Sequence, residues 1–218
     1  MKYKCLVLDH DDTVVHSTPD IHYPSFVEAL KILRPEKEPI SLKEFVQYCF
    51  NPGFSSLCAD IMKFSEAEQA VQYRIWRNHV ASSAPGFFTG MAELITDYKG
   101  QGGLICVVSH SESRQILRDY RNHCNIEPDM IFGWELEAWK RKPNPYPLEE
   151  IMRTLNLKPE EMLMVDDLKP GLDMAQSCRV DFAGAGWSHM IPEIADYMRK
   201  HGNYYFEEVA SFREFVFS

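Results

Sequence analysis

The chain has 218 residues, of which 45% are hydrophobic and 25% charged, and a formal net charge of −9. That length supports one sizeable core, or a core with a small insert. The acidic balance argues against nucleic acid as a partner, which requires a basic face, and no apolar run approaches the roughly 18 residues of a membrane span.

The first apolar tract, Cys5 to Leu8, is too short for a signal peptide and runs into acids. Six cysteines without a CxxC pair fit a reducing, cytoplasmic setting. Residues 4–8 read as a parallel strand buried on both faces, because the apolar run does not alternate. The strand delivers the chain into "LDHDDT", where Asp9, Asp11 and Asp12 set three carboxylates in four positions. Like charges that close repel, and at a desolvated strand end one of them takes up a proton unless a cation stands nearby.

From about Tyr23 to Val80 the pattern is helical. "YPSFVEALKIL" has apolar spacing near 3.6, Ser41 with Glu44 and Ser65 with Glu68 have capping-box spacing, and "LCADIMKF" extends the helical block. From Pro85 onward the rhythm becomes helix and strand in turn: "GMAELITDYKG", strand "GLICVVS", "SRQILRDYRNH", strand "DMIFG" and "YPLEEIMRTLN". Strand "MLMVDD", helix "GLDMAQSC", strand "VDFAGAG", helix "IPEIADYMRKHG", strand-like "YYFEEV" and a terminal "SFREFVF" complete it. Buried strands alternating with helices predict an α/β fold with a doubly wound parallel sheet. The sheet domain then comprises residues 1–17 and 83–218, with residues 18–82 as an all-helical insert after the first strand.

In open α/β sheets the reactive crevice lies beyond the carboxyl ends of the strands. Strand one ends in Asp9-x-Asp11, "LICVV" in Ser109-His110 and "MLMV" in Asp166-Asp167, while "KRKPNP" offers Lys140, Arg141 and Lys142 before a helix. Carboxylates gathered without His or Cys partners favour a hard cation, with Mg2+ the default. A carboxylate can attack phosphorus to form an aspartyl-phosphate. A second carboxylate can protonate the leaving oxygen and later deprotonate water. Phosphoryl transfer also needs its equatorial oxygens neutralised, which a lysine, a hydroxyl and a metal supply.

These residues resemble the four motifs of the haloacid dehalogenase-like hydrolase superfamily. "LVLDHDDT" is similar to its first motif, with Asp9, Asp11 and Thr13; "LICVVS" to its second, with Ser109; "KPNP" to its third, with Lys142; and "LMVDD" to its fourth. The helical insert after the first motif is similar to the subfamily with an α-helical cap. The resemblance implies a Rossmann-like core, Asp9 as nucleophile, and Asp11 as general acid/base and Mg2+ ligand through its carbonyl. It implies Ser109 and Lys142, with His110 beside them, as holders of the phosphoryl group, and Asp167 with Asp166 as metal ligands. Asp9 would be shared between metal and phosphorus.

Asp12 stands where the family usually has Gly, His10 where the residue is usually apolar, and His16 where members often have Asp. The spacing of His10, His16 and His22 matches no zinc geometry. Asp166 reads either as a ligand or as a residue packed behind one, and Lys140 is an alternative to Lys142. The reading is a Mg2+-dependent phosphatase for a small phosphorylated metabolite. A sugar phosphomutase is the alternative within the superfamily, although "YCFNPGFSSLC" lacks the Arg or Lys that grips a second phosphate. A catalytically silent binding module is the alternative outside enzymes.

Overall fold

β1 (Cys5–Leu8) is apolar at each of its four positions and wholly buried. The computed structural model describes all 218 residues. It divides into two compact units, Met1–His16 with Gly86–Ser218, and Ser17–Pro85.

The Ser17–Pro85 unit is helical: α1 (Tyr23–Leu33), α2 (Leu42–Phe50), the single turn α3 (Phe54–Ser56) and α4 (Glu66–Ser82). Both expected capping boxes form. Ser41 and Ser65 accept the backbone N–H of Glu44 and Glu68, whose carboxylates return to the serine N–H at 2.8 Å in each case. The unit has its own core of Phe26, Leu30, Phe45, Leu57 and Phe64. Residues 57–64 differ from the expected helix: a single wide turn covers Leu57–Ile61, and Lys63 at φ 56° breaks the right-handed path.

In the other unit the chain continues through α5 (Met91–Gly100), β2 (Leu104–Val108), α6 (Ser113–Cys124), β3 (Met130–Phe132) and α7 (Tyr146–Leu155). β4 (Met162–Asp166), α8 (Lys169–Cys178), β5 (Asp181–Ala185), α9 (Pro192–His201), β6 (Tyr204–Phe206) and α10 (Val209–Phe217) follow. The expected strand through Val209 stops at Phe206, and Val209 instead opens α10 and buries its side chain. No helix is long and apolar enough to cross a membrane.

The six strands form one parallel sheet in the order β3-β2-β1-β4-β5-β6. This is the doubly wound Rossmann order, whose connections reverse direction between β1 and β4. The register pairs Leu8 with Val165 and with Val107. Asp9, Asp166 and Ser109 therefore emerge at the same edge of the sheet. Leu6, Leu8, Val107, Leu163 and Val165 join Tyr98 and Phe212 in the core beneath that edge.

Leu163 is fully buried beside Leu6. Leu163→Ala is expected to cost about 2–5 kcal/mol in urea unfolding, because the void cannot close between paired strands. A loss below about 1 kcal/mol would contradict this packing.

Candidate active site

Asp9 follows β1 directly, and its N–H donates to the Val165 carbonyl at 2.8 Å, prolonging the ladder by one residue. The chain then turns sharply. The His10 carbonyl accepts N–H bonds from Val14 and Val15 at 2.9 and 3.0 Å, and Asp12 N–H donates to Val15 at 2.7 Å. Asp12 makes the turn with φ 55°, a left-handed conformation that Asp tolerates better than most residues.

Three carboxylates converge at this edge: oxygens of Asp9, Asp166 and Asp167 all lie within 4.8 Å of one another, and all three residues are buried. Lys142 stands among them. Its ammonium is 2.7 Å from Asp9 Oδ1 and 2.6 Å from Asp166 Oδ2. Lys140 is engaged elsewhere, with Glu137 at 2.7 Å and over the Trp139 and Tyr146 rings.

Burial, the neighbouring Asp166 and Asp11 charges and the opposing pull of Lys142 together leave the Asp9 carboxyl at about 8. Burial and the charges of Asp166, Asp12 and Asp9 also hold Asp167 well above the carboxylate range. Lys142 is kept firmly cationic: its own burial opposes the charge, and Asp166 and Asp9 outweigh it. One lysine thus faces three carboxyl groups. The donor set is all oxygen, with no His or Cys in the cluster, and it fits a hard divalent cation held by Asp9, Asp166 and Asp167.

Asp166 is fixed from two further sides. Its Oδ1 accepts the Leu168 N–H at 2.8 Å, and Gly171, in the first turn of α8, passes so close that an added Cβ would lie 2.2 Å from Asp166 Oδ2. The Thr13 hydroxyl lies 3.5 Å from Asp167 Oδ1, and His189 Nε2 lies 3.7 Å from Asp167 Oδ2.

The Asp11 carboxylate does not belong to the three-carboxylate group. Its Oδ2 accepts the Ser111 hydroxyl at 2.5 Å and lies 3.3 Å from the Ser109 hydroxyl. His110 Nε2 is 3.0 Å from the Lys142 carbonyl oxygen. A carbonyl only accepts, so Nε2 carries the proton. The motif serine loop is thereby tied to the lysine loop.

His10, His16 and His22 are engaged separately. His10 is buried against α6, with Nε2 3.2 Å from Asp119 and its ring stacked on Tyr120. His16 meets Phe88 edge-on, and His22 accepts the Trp76 ring N–H at 2.9 Å. Ser111, Gly171 and His189 are site neighbours that the sequence motifs do not single out. Ser111 carries a faint sequence signal, a second hydroxyl two residues after the first, and Gly171 sits just beyond the acidic pair. His189 has none, since only the loop after β5 brings it near.

The haloacid dehalogenase-like hydrolase family model matches residues 6–185. The chain therefore belongs to the haloacid dehalogenase-like hydrolase family and is an enzyme, a hydrolase of that family. It is 22% identical over 190 residues to the pyrophosphatase PpaX of Bacillus cereus strain Q1, covering 86% of this chain and 85% of that protein. Among solved structures, a predicted phosphoglycolate phosphatase from Haemophilus somnus superposes with a TM-score of 0.77 at 19% identity, over 99% of each chain. CbbY from Rhodobacter sphaeroides, solved in complex with phosphate, superposes with a TM-score of 0.74 at 17% identity over 96% of each.

Two outcomes follow from this geometry. The folded protein keeps the Asp9 proton where an unfolded chain has lost it, so the stabilisation is fully present below the unfolded pKa and fades as the pH climbs toward about 8. In metal-free protein, raising the pH from about 5 to about 8 is expected to lower the melting temperature by about 4 °C or more beyond the change seen in Asp9→Asn. Equal slopes would contradict the burial argument. Gly171→Ala is expected to displace Asp166 and weaken divalent-metal affinity about ten-fold or more by calorimetry, and unchanged affinity would remove Asp166 from the site.

Proposed function

We propose that this hydrolase is a Mg2+-dependent phosphatase that cleaves a small phosphorylated metabolite through an aspartyl-phosphate on Asp9. The observation that carries the reading is the triad of carboxylates within 4.8 Å, with the Lys142 ammonium 2.7 Å from Asp9. Three buried carboxyl groups beside one lysine are short of positive charge, and a divalent ion fits that imbalance.

The steps assigned to the chain's residues are these. An Asp9 carboxylate oxygen attacks phosphorus while the bond to the leaving oxygen breaks, and Asp11 gives that oxygen a proton. Water then attacks the phosphorus of the aspartyl-phosphate, Asp11 takes the water's proton, and the bond to Asp9 breaks to release phosphate. Lys142 and the Ser109 hydroxyl hold the phosphoryl oxygens, with His110 bonded to the Lys142 backbone. Asp9, Asp166 and Asp167 side chains, with the Asp11 carbonyl, are assigned to the ion. When bound, Mg2+ supplies charge neutralisation on the phosphoryl oxygens and keeps Asp9 ionised.

The helical unit is assigned the role of a cap that selects the leaving group, from its place in the chain between β1 and the rest of the sheet domain. The phosphatase and pyrophosphatase names of the matched proteins favour hydrolysis over phosphoryl relocation. Six free cysteines, of which Cys5, Cys58 and Cys106 are buried, fit a cytoplasmic setting.

Phosphate release from p-nitrophenyl phosphate tests the reading. Turnover is expected to need Mg2+ and to fall about 1,000-fold or more in Asp9→Asn, since no covalent intermediate then forms. Turnover indifferent to both metal and substitution would overturn it.

A further inference from the structure

Ser111 is 4% exposed and lies in the loop between β2 and α6. Its backbone is pinned on both sides: its N–H donates to Ser109 Oγ at 3.2 Å, and its carbonyl accepts the Trp134 N–H at 2.8 Å. Neither bond uses its hydroxyl, which donates to Asp11 Oδ2 at 2.5 Å. That is the shorter of the two hydroxyl contacts to the Asp11 carboxyl group.

We propose that Ser111 is a positioning residue, whose hydroxyl fixes the Asp11 carboxylate for proton transfer to the leaving oxygen. The proposal rests on the phosphatase reading and adds a residue to it. Ser109 approaches the same Asp11 oxygen at 3.3 Å, but a serine has only one O–H to give. Once Ser109 donates to a phosphoryl oxygen, its hydrogen is withdrawn from Asp11. The Ser111 bond is independent of that exchange and keeps the carboxylate in place through the step. The arrangement also accounts for the Asp11 carboxylate standing outside the Asp9, Asp166 and Asp167 group.

The value of a general acid grows with the basicity of the leaving group. A nitrophenolate departs with little help, whereas a more basic phenolate needs the proton as its bond to phosphorus breaks. The test is turnover by wild-type protein, Ser111→Ala, Ser111→Thr and Asp11→Asn on phenyl phosphates graded from p-nitrophenyl to p-methoxyphenyl. Ser111→Ala is expected to lose about ten-fold more kcat on the p-methoxyphenyl ester than on the p-nitrophenyl ester. Asp11→Asn should show the same tilt, larger, and Ser111→Thr should return toward the wild-type slope because it keeps a hydroxyl. An equal loss by Ser111→Ala across the series, with Asp11→Asn still tilted, would overturn the positioning role alone. A flat series for Asp11→Asn would remove Asp11 as the acid, and the role of its holder with it. Absence of turnover in wild-type protein across the whole series would overturn the phosphatase reading itself.

Discussion

The repulsion among three buried carboxyl groups at one edge of a parallel sheet is the constraint on which the site depends. The register of β1 against β4 sets Leu8 beside Val165, so Asp9 and the Asp166-Asp167 pair cannot avoid one another. Two unit charges about 4 Å apart interact by about 4 kcal/mol at the effective dielectric of a protein near its surface. Lys142 offsets part of this by bridging Asp9 and Asp166. Burial first, and then the remaining carboxylate charges, favour protonation and hold Asp9 and Asp167 far above the ordinary carboxyl range. A protonated Asp9 cannot attack phosphorus. Added positive charge would at once restore its ionised form and relieve the strain, so affinity for a cation and readiness of the nucleophile are two aspects of one imbalance.

Around this centre the packing reserves positions that substitution would disturb. Gly171 exists at a close approach where any side chain would enter the Asp166 carboxylate. The Leu168 N–H and the Lys142 ammonium take the two Asp166 oxygens. His10, which interrupts the acids in sequence, finds its partner on α6 in Asp119, itself bonded to Arg118 at 2.7 Å. Leaving one partner of a buried hydrogen bond unsatisfied costs about 1–3 kcal/mol, so the contact anchors the turn that carries Asp11 and Asp12. Asp11 meanwhile faces hydroxyls. The site divides into the Asp9, Asp166 and Asp167 group at the ends of β1 and β4 and the Asp11 carboxylate, which meets the hydroxyls of the loop after β2.

Much of this was legible in the residues because parallel strands covered on both faces must be continuous apolar runs, and such runs mark their own ends. Asp9, Ser109 and Asp166-Asp167 stand at those ends, and Lys142 just before α7. The two capping boxes were equally plain, since Ser41 and Ser65 each have a glutamate three residues on. What the sequence did not carry was direction. The strand order depends on which way each crossover turns, and nothing local to β4 says that it returns beside β1. Spacing alone also left Asp11 among the acids, because the rotamer that sends its carboxylate to Ser111 is chosen by tertiary packing. The helix expected over residues 57–64 is only a wide turn over Leu57–Ile61 and stops for a backbone reason: Lys63 adopts a left-handed conformation that no apolar period announces.

On the proposed reading, protonated, crowded carboxyl groups become a metal site and a nucleophile in the same event. Calorimetric titration of the protein with Mg2+ in buffers of different ionisation enthalpy, near pH 7, measures this directly, because ligand carboxyl groups must shed their protons to bind. The expected apparent binding enthalpy tracks the buffer, with between about one and two protons released per ion as Asp9 and Asp167 ionise, and the Asp9 share declines above about pH 9. Binding without proton release, or no binding at all, would contradict that reading.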